Sequence, residues 1–243
     1  MAYTLPVSAD KPAYVRKKFD EIAGHYDLFN DLITQGQHRW WKRVLVNRLP
    51  LGPGVRGLDI CCGTGDLARR ALGRLPADGL LVAADFSANM LRIARKRLAG
   101  GGGKAAPHLV AQADAMALPF ADASFHFVTI GYGLRNVAGL PGCLEELLRV
   151  LRPGGVLASL DIGKVRPRWL RPFADAYLFR VVPLIGRLLQ GGQDMYTYLP
   201  HSTLDFPHQD DLAAQMRAAG FASVDLLEHL GGASVIHLAR RAP

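Results

Sequence analysis

The residues best suited to chemistry surround a glycine turn. In Leu58-Asp59-Ile60-Cys61-Cys62-Gly63-Thr64-Gly65-Asp66-Leu67-Ala68, the residues Gly63, Gly65 and Ala68 satisfy G-x-G-x-x-A. Glycines at such a strand-to-helix turn let a ligand approach the backbone. Asp85 lies 22 residues beyond Gly63, where an acidic residue at the end of the next strand can hold ribose hydroxyls. The pattern alone fits several adenosine cofactors. Asp59 and Asp66 narrow the choice, because carboxylates flanking the turn would repel the pyrophosphate of a dinucleotide. S-adenosylmethionine instead carries a sulfonium and an α-ammonium there, so the two carboxylates favour it. A later acidic site agrees: Asp114, followed by Ala115, comes one strand–helix unit after Asp85. A carboxylate at that position can accept the exocyclic adenine amine.

Such residues need a scaffold, and the apolar rhythm supplies one. Strands are expected over 55–62, 79–85, 108–113, 125–130 and 156–162, with two more near 224–228 and 234–239. Helices are expected over 66–75, 87–98, 139–151 and 209–219, with Ser87 as an N-cap. The turn between 151 and 156 is read from Arg152-Pro153-Gly154-Gly155. Strands alternating with helices of this length imply an α/β fold with a mostly parallel sheet and helices on both faces. Residues 14–49 are helical in pattern, interrupted near Gly24 and Gly36, and end at the linker Pro50-Leu51-Gly52-Pro53-Gly54. Residues 166–190 break the strand–helix rhythm with Arg, bulky apolar residues and three prolines. The organisation read from this is an N-terminal helical lid over 1–50 and a Rossmann-like domain over 51–243. Within that domain a helical insertion spans about 165–205.

Composition removes other classes. The chain has 243 residues, of which 49% are hydrophobic and 21% charged, and this balance excludes disorder. It lacks a run of about 20 apolar residues and a secretory signal pattern, so a cytoplasmic location is expected. Three cysteines without CxxC spacing argue against a disulfide framework and a zinc site, and no metal is expected. The net charge of +8 admits nucleic acid or an anionic membrane as partners. Its placement decides between them. Residues 11–48 hold eight Lys/Arg against four Asp/Glu, and residues 164–187 hold six against one, so the remainder is nearly neutral. The basic excess therefore lies in the two helical appendages, which favours a membrane surface over nucleic acid.

Four stretches resemble one family. They are Phe-Asp-Glu-Ile-Ala-Gly-His-Tyr-Asp-Leu-Phe-Asn-Asp-Leu over 19–32 with Gly36-Gln37-His38, the glycine turn over 59–68, 114–120 leading into Gly133-Leu134-Arg135-Asn136-Val137, and Tyr-Leu-Phe-Arg-Val-Val-Pro-Leu over 177–184. Together they resemble the ubiquinone/menaquinone biosynthesis C-methyltransferases, which are class I S-adenosylmethionine-dependent methyltransferases. The resemblance implies a seven-stranded Rossmann-like sheet and methyl transfer to a ring carbon of a polyprenylated quinol. Demethylmenaquinol is the first acceptor to expect, and the 2-polyprenyl-6-methoxy-1,4-benzoquinol of ubiquinone synthesis the second. Cofactor positions of the family fall on Thr64, Asp85, Asp114 with Ala115, and Gly131. With the turn residues Asp59, Gly63 and Gly65 and the adjacent Phe86, they complete the expected cofactor set. Many family members carry a polar residue where this chain has Gly131. Other departures are Asp161-Ile162-Gly163-Lys164-Val165, the segment 193–202, and Pro207-His208-Gln209.

Ring methylation needs an activated carbon nucleophile. Arg135 is the first catalytic candidate, as a cation for a developing phenolate. It is too basic to act as a base itself. His25 and Tyr26 on the lid are the others, one as a proton acceptor and the other against the sulfonium or the ring. Asn136, Tyr177, Tyr196, Tyr198 and His201 are the expected substrate-side residues, with ordinary packing as the competing role. The segment 169–190 is the expected route for an isoprenoid tail at an interface. A methyltransferase for a small soluble aromatic and a non-catalytic partner in a quinone-synthesis assembly stay open beside this reading. A second copy of the chain stays open as a partner.

Overall fold

The computed structural model describes residues 11–100, 106–190 and 195–243. The N-terminal region forms three helices, α1 (Lys11–Ile22), α2 (Tyr26–Thr34) and α3 (Gln37–Val46). They break where the sequence places Gly24 and Gly36. The second corner is built from two successive left-handed residues, Gln35 at φ 50° and Gly36 at φ 75°, a conformation glycine adopts at little cost. The strand–helix alternation follows: β1 (Arg56–Ile60), α4 (Asp66–Leu72), β2 (Leu80–Asp85), α5 (Ala88–Ala99), β3 (His108–Gln112), β4 (Phe125–Gly131), α6 (Leu140–Val150) and β5 (Leu151–Ile162). The insertion contributes α7 (Arg171–Ala176), a π turn over Tyr177–Val181, α8 (Val182–Gln190) and α9 (Met195–Asp205). The chain closes with α10 (Gln209–Ala218), β6 (Phe221–His229) and β7 (Ser234–Arg241).

The seven strands make one sheet in the order β3-β2-β1-β4-β5-β7-β6. The first five are parallel, because each is reached through a crossover. β7 runs antiparallel to both neighbours, since only the short turn Leu230–Gly232 joins it to β6. The expected seven-stranded, mostly parallel architecture is therefore present. Its strands read as continuous apolar runs because both faces are covered. One face packs Leu58, Ile60 and Val128 against α6 and α10 through Leu144, Leu147, Leu212 and Met216. The other packs Leu81, Ala83 and Phe127 against α3, α4 and α5 through Leu45, Leu67 and Leu98. Across β1 and β4 an added Cβ at Gly57 would stand 2.0 Å from Phe127 Cζ, so only glycine admits that ring.

One expected turn is absorbed into a strand. Arg152-Pro153-Gly154-Gly155 lies within β5, whose Leu151 pairs with Phe125 before the register shifts at Phe127. Gly154 at φ 72° takes the irregularity, as a bulged strand permits. The expected helix over 66–75 also ends early, at Leu72. Residues 1–10, the loop residues 101–103, and residues 193–194 of the departing segment lie outside the described residues. Among the described residues no helix is long and apolar enough to cross a membrane.

The topology fixes where a ligand can sit. The chain leaves β3 at one edge and returns to β4 on the opposite side of β1. At this switch point the loops after β1 and β4 diverge and open a crevice at the strand ends.

Candidate active site

The glycine turn is locked from both sides. After β1 the backbone passes through Cys61 at φ 53°, Gly63 at φ 55° and Gly65 at φ 80°. At Gly65 an added Cβ would lie 3.1 Å from Ala94 Cβ, so the glycine lets α4 start directly against α5. Asp85, at the end of β2, accepts from Gly63 N at 2.8 Å with one carboxylate oxygen and from Ser87 N at 2.8 Å with the other. Burial pushes its carboxyl up, although these amides favour the charged form. Ser87 caps α5 by accepting from Met90 N at 3.1 Å, as the sequence predicts. Its hydroxyl also donates to Asp20 of α1. The lid is thus fastened to the residue pair that shapes the turn.

Gly63, Asp85, Phe86, Asp114, Ala115 and Gly131 line one cleft, roofed by Val15, Phe19 and Tyr26 from the N-terminal helices. Arg16 lies over Phe86, 5.3 Å from the ring centroid. Asp114 is exposed and accepts from Met116 N at 2.9 Å. Beyond Gly63 the cleft narrows into a recess lined by Asp59, Thr64, Asp66, Lys42 and Tyr26. Thr64 is buried there. It donates to Asp27 at 2.8 Å and accepts from Arg97 at 2.9 Å, and Arg97 also pairs with Asp27. This is a second fastening of the lid. Gly65 lines neither space and serves as the N-cap of α4.

The recess corrects the electrostatic argument from sequence. Asp66 is not a free carboxylate facing a cofactor. It pairs with Lys42 at 3.0 Å and Arg70 at 3.2 Å, and Lys42 overcomes the effect of burial to hold the carboxyl below its usual range. Asp59 is 0% exposed, and its Oδ1 accepts from Thr129 Oγ1 at 2.6 Å. Burial pushes its carboxyl up to about 7. The recess therefore holds a carboxyl that burial shifts toward its neutral form, opposed by Thr129 of β4 and Lys42 of α3, and an ion pair between Asp66 and Lys42. Burial also raises all three thiols, which leaves the cysteines as packing groups.

A second space opens beside the first, between α2, α3 and the insertion. It is a cavity of about 540 Å³ whose walls include Ile33, Trp41, Ile162, Tyr177, Leu178 and Leu199. Tyr132, directly after β4, lines both the cleft and this cavity. It has φ 59°, a left-handed conformation that costs a bulky residue about 1–3 kcal/mol. Tyr132 N donates to Leu160 O at 2.7 Å, and its carbonyl accepts from Asn136 Nδ2 at 2.9 Å. These bonds hold the strained backbone. Arg135 also lines the cavity, is only 8% exposed, and donates to Asp161 Oδ1 at 2.5 Å. Burial opposes its charge, but Asp161 and Tyr26 more than offset it, so the guanidinium is held firmly cationic. Burial raises the Tyr26 phenol, while Arg135 nearby lowers it.

The structure brings together only part of the expected substrate side. Asn136 lines the cleft and accepts from Tyr198 OH at 3.0 Å. Tyr177 lines the cavity and donates to Ile33 O at 2.8 Å, tying the insertion to α2. His25 is exposed at the N-cap of α2 and lines neither space, so its geometry does not place a base beside the ring. Tyr198 is 1% exposed and packs with Ile22, Ala23 and Met90, a core role reinforced by its bond to Asn136. His201 lies 6.2 Å from the Phe179 ring, outside the cavity lining. The Tyr196 side chain lies outside the described residues. Sequence reasoning missed Tyr132, Lys42 and the role of Asp161. The signal for Tyr132 was a bulky residue between two glycines. Asp161 carried none, because its partner lies 26 residues away.

The cleft fits S-adenosylmethionine. Asp85 at the end of β2 and Asp114 with Ala115 after β3 line the cleft, and Asp59 lines the adjoining recess with Gly131, a set of carboxylates that can bond hydroxyls and an amine and can favour a cation. Among the described residues no cluster of His, Cys, Asp or Glu able to hold a metal ion occurs.

Known proteins agree with this geometry. The model of the ubiE/COQ5 methyltransferase family matches residues 7–241. A demethylmenaquinone methyltransferase of Leptospira interrogans is 38% identical over 242 residues, covering 98% of this chain and 97% of the relative. The ubiquinone/menaquinone biosynthesis C-methyltransferase UbiE of Stenotrophomonas maltophilia is 40% identical over 228 residues, covering 94% and 90%. Solved structures share the fold at lower identity. A SAM-dependent methyltransferase of Thermotoga maritima has TM-score 0.64 at 20% identity, covering 93% of this chain and 99% of that one. The [4+2]-cyclase SpnF has TM-score 0.66 at 18% identity, covering 99% and 98%. The chain is an S-adenosylmethionine-dependent methyltransferase and belongs to the ubiE/COQ5 methyltransferase family.

Proposed function

We propose that the protein methylates a ring carbon of a polyprenylated quinol, demethylmenaquinol in the first place and the 2-polyprenyl-6-methoxy-1,4-benzoquinol of ubiquinone synthesis in the second. One observation carries this reading. A largely apolar cavity of about 540 Å³ adjoins the cofactor cleft across Tyr132, with the buried cation Arg135 in its wall. That space suits a hydrophobic ring bearing an oxygen that becomes negative. The Leptospira relative, matched over nearly the whole chain, is named for demethylmenaquinone, and this supports the order of the two acceptors.

When bound, S-adenosylmethionine supplies an electrophilic methyl group. The chain does the rest. Arg135 stabilises the ring oxygen as its proton passes to solvent water, which raises electron density at the adjacent carbon. Asp161 keeps the guanidinium in place by accepting from Nη1. Tyr26 and Phe19 roof the cleft and exclude water. Asn136 fixes the loop after β4 through Tyr132 O, so that Arg135 is held relative to the cleft. The ring proton is lost in a later step. Arg135 cannot accept it directly, so it leaves to solvent water or to a titratable group of the cavity wall, where Asp175 and His208 stand.

The acceptor is lipid-soluble, and the protein's contact with it is proposed to occur at an anionic membrane surface. Trp169, Phe173 and Leu188 are 72%, 70% and 80% exposed, and Leu184 is exposed on α8 together with Leu188. Arg168, Arg171, Arg180 and Arg187 are exposed on the same insertion. Apolar side chains among arginines suit an interface carrying negative lipids. Flotation with liposomes tests this, and binding should require anionic lipid and weaken with salt. Salt-insensitive binding, or none, contradicts it. The acceptor itself is tested with purified protein, labelled cofactor and extracted quinols compared with soluble phenols. Methylation confined to soluble phenols would favour the small-aromatic alternative, and failure to bind the cofactor would favour a non-catalytic partner.

A further inference from the structure

We propose that the hydroxyl of Tyr132 donates a hydrogen bond to the acceptor-ring oxygen next to the carbon that is methylated, making Tyr132 a positioning and specificity residue of the acceptor site. The proposal rests on the quinol reading above.

Three independent observations lead to it. The first is location, because Tyr132 lines both the cofactor cleft and the apolar cavity. Tyr132 is the lining residue the two spaces share among the described residues, and it also borders the recess around Asp59 and Asp66. The second is an unmet valence. The hydroxyl is buried and has no hydrogen-bond partner among the described residues. A buried orphan hydroxyl lowers stability, and phenylalanine would fill the same volume without that penalty. The protein carries a polar atom here that its own fold does not use. The third is a strained backbone. Tyr132 sits at φ 59° and is pinned through its N–H and its carbonyl. Strain over-determined by its surroundings fixes the backbone from which the ring projects.

The surroundings also select the chemistry. Arg135 lies 5.6 Å from the Tyr132 ring centroid, so the phenol stands beside a buried cation of the cavity wall. Tyr26, Asp161, Arg135 and Asp66 are the groups whose charges act on it. Burial keeps the phenol protonated, so it serves as a donor. A donor next to a cation fits an oxygen that gains negative charge, and a quinol oxygen does so as the ring carbon becomes nucleophilic. No proton is transferred from Tyr132. The bond shortens as charge develops and relaxes once the ring regains aromaticity.

The test is Tyr132→Phe in the full chain. The melting temperature should be equal to or above that of the unchanged protein, because the orphan hydroxyl is gone. Cofactor affinity by titration calorimetry should stay within about twofold. With saturating cofactor, kcat/KM for the quinol should fall roughly 10- to 100-fold, mainly in kcat. As a second variant series, fluorinated tyrosines at position 132 keep the ring and make the phenol more acidic. Their kcat should change in step with phenol acidity, which a packing role would not produce. Unchanged kcat/KM in Tyr132→Phe overturns the proposal. Weakened cofactor binding with unchanged kcat at saturation also overturns it and assigns the hydroxyl to the cofactor. If the unchanged protein does not methylate the quinol at all, the quinol reading fails first, and the variant result stands apart from it.

Discussion

On the sheet side of the cleft, the site is held by backbone. Asp85 bonds two main-chain amides at 2.8 Å, and Gly63 and Gly65 take left-handed angles that the β1–α4 turn requires. On the helical side it is held by side chains drawn from distant segments. Tyr177 reaches Ile33 across 144 residues, Tyr198 reaches Asn136 across 62, and Thr64 reaches Asp27 across 37. The apolar support differs as well. The sheet faces share two extended cores, whereas the helical side has two small clusters, one around Ile22 and Tyr198 and one around Phe29 and Val182. Regions with few buried apolar contacts are the ones with the lower local stability, so on the helical side the long-range ties carry more of the burden. The cofactor side is thus built on the extended sheet cores and the acceptor side on smaller helical clusters.

The strongest challenge to this contrast lies at the seam. Arg135→Ala would leave Asp161 buried without its cation, and losing one partner of a buried pair costs about 3–5 kcal/mol. Chemical denaturation should show that loss, together with a fall in kcat of at least about 100-fold. An unchanged midpoint would mean that the pair does not join the two halves. Next in size, Asp85→Ala removes the acceptor of two amides, so cofactor affinity should fall roughly 100-fold, read by titration. Loss confined to acceptor KM would reverse the assignment of the halves.

Asp59 predicts a pH dependence of the sheet side alone. Its carboxyl rises in the fold from 3.8 to about 7. Between those values the folded state binds more protons than the unfolded one, so stability falls as pH rises through that window and levels off above it. Affinity for the cationic cofactor moves the other way. It should increase by up to about tenfold per pH unit on approaching pH 7 and then plateau. In Asp59→Asn both slopes should flatten, and a slope that persists would place the titrating group elsewhere.

The last two changes sharpen the contrast without touching the chemistry. Leu184→Asp with Leu188→Asp on α8 should weaken binding to anionic liposomes several-fold, while methylation of a detergent-dispersed quinol stays within about twofold. Equal losses in both assays would assign α8 to the acceptor cavity. Gly131→Ser should be nearly silent. An added Cβ there meets only Leu67 Cδ2 at 3.4 Å, so the position has room, and cofactor affinity should shift by less than about threefold. A larger loss would show that the backbone at Gly131 needs the smallest residue.

The same contrast explains what could be read from the sequence. Asp85, the Ser87 cap and the strand–helix alternation were legible because turns and caps are local. The two-glycine interruption of the lid was legible for that reason too. Asp161 as the partner of Arg135, the core role of Tyr198 and the exposure of His25 were not, since each is decided by contacts far along the chain. Tyr196 and Tyr198 carry the same aromatic signal in sequence, and only tertiary packing shows Tyr198 filling a core beside Ile22. Asp66 is instructive in another way. Its position and its charge were read correctly, but not its ion pairing, because Lys42 approaches from 24 residues upstream.

The most direct measurement is transfer of a labelled methyl group from S-adenosylmethionine to demethylmenaquinol by the purified protein, with the product identified by tandem mass spectrometry. The account predicts a quinol heavier by one methyl group, with the label on a ring carbon. Label on an oxygen, or transfer only to soluble phenols, would contradict it.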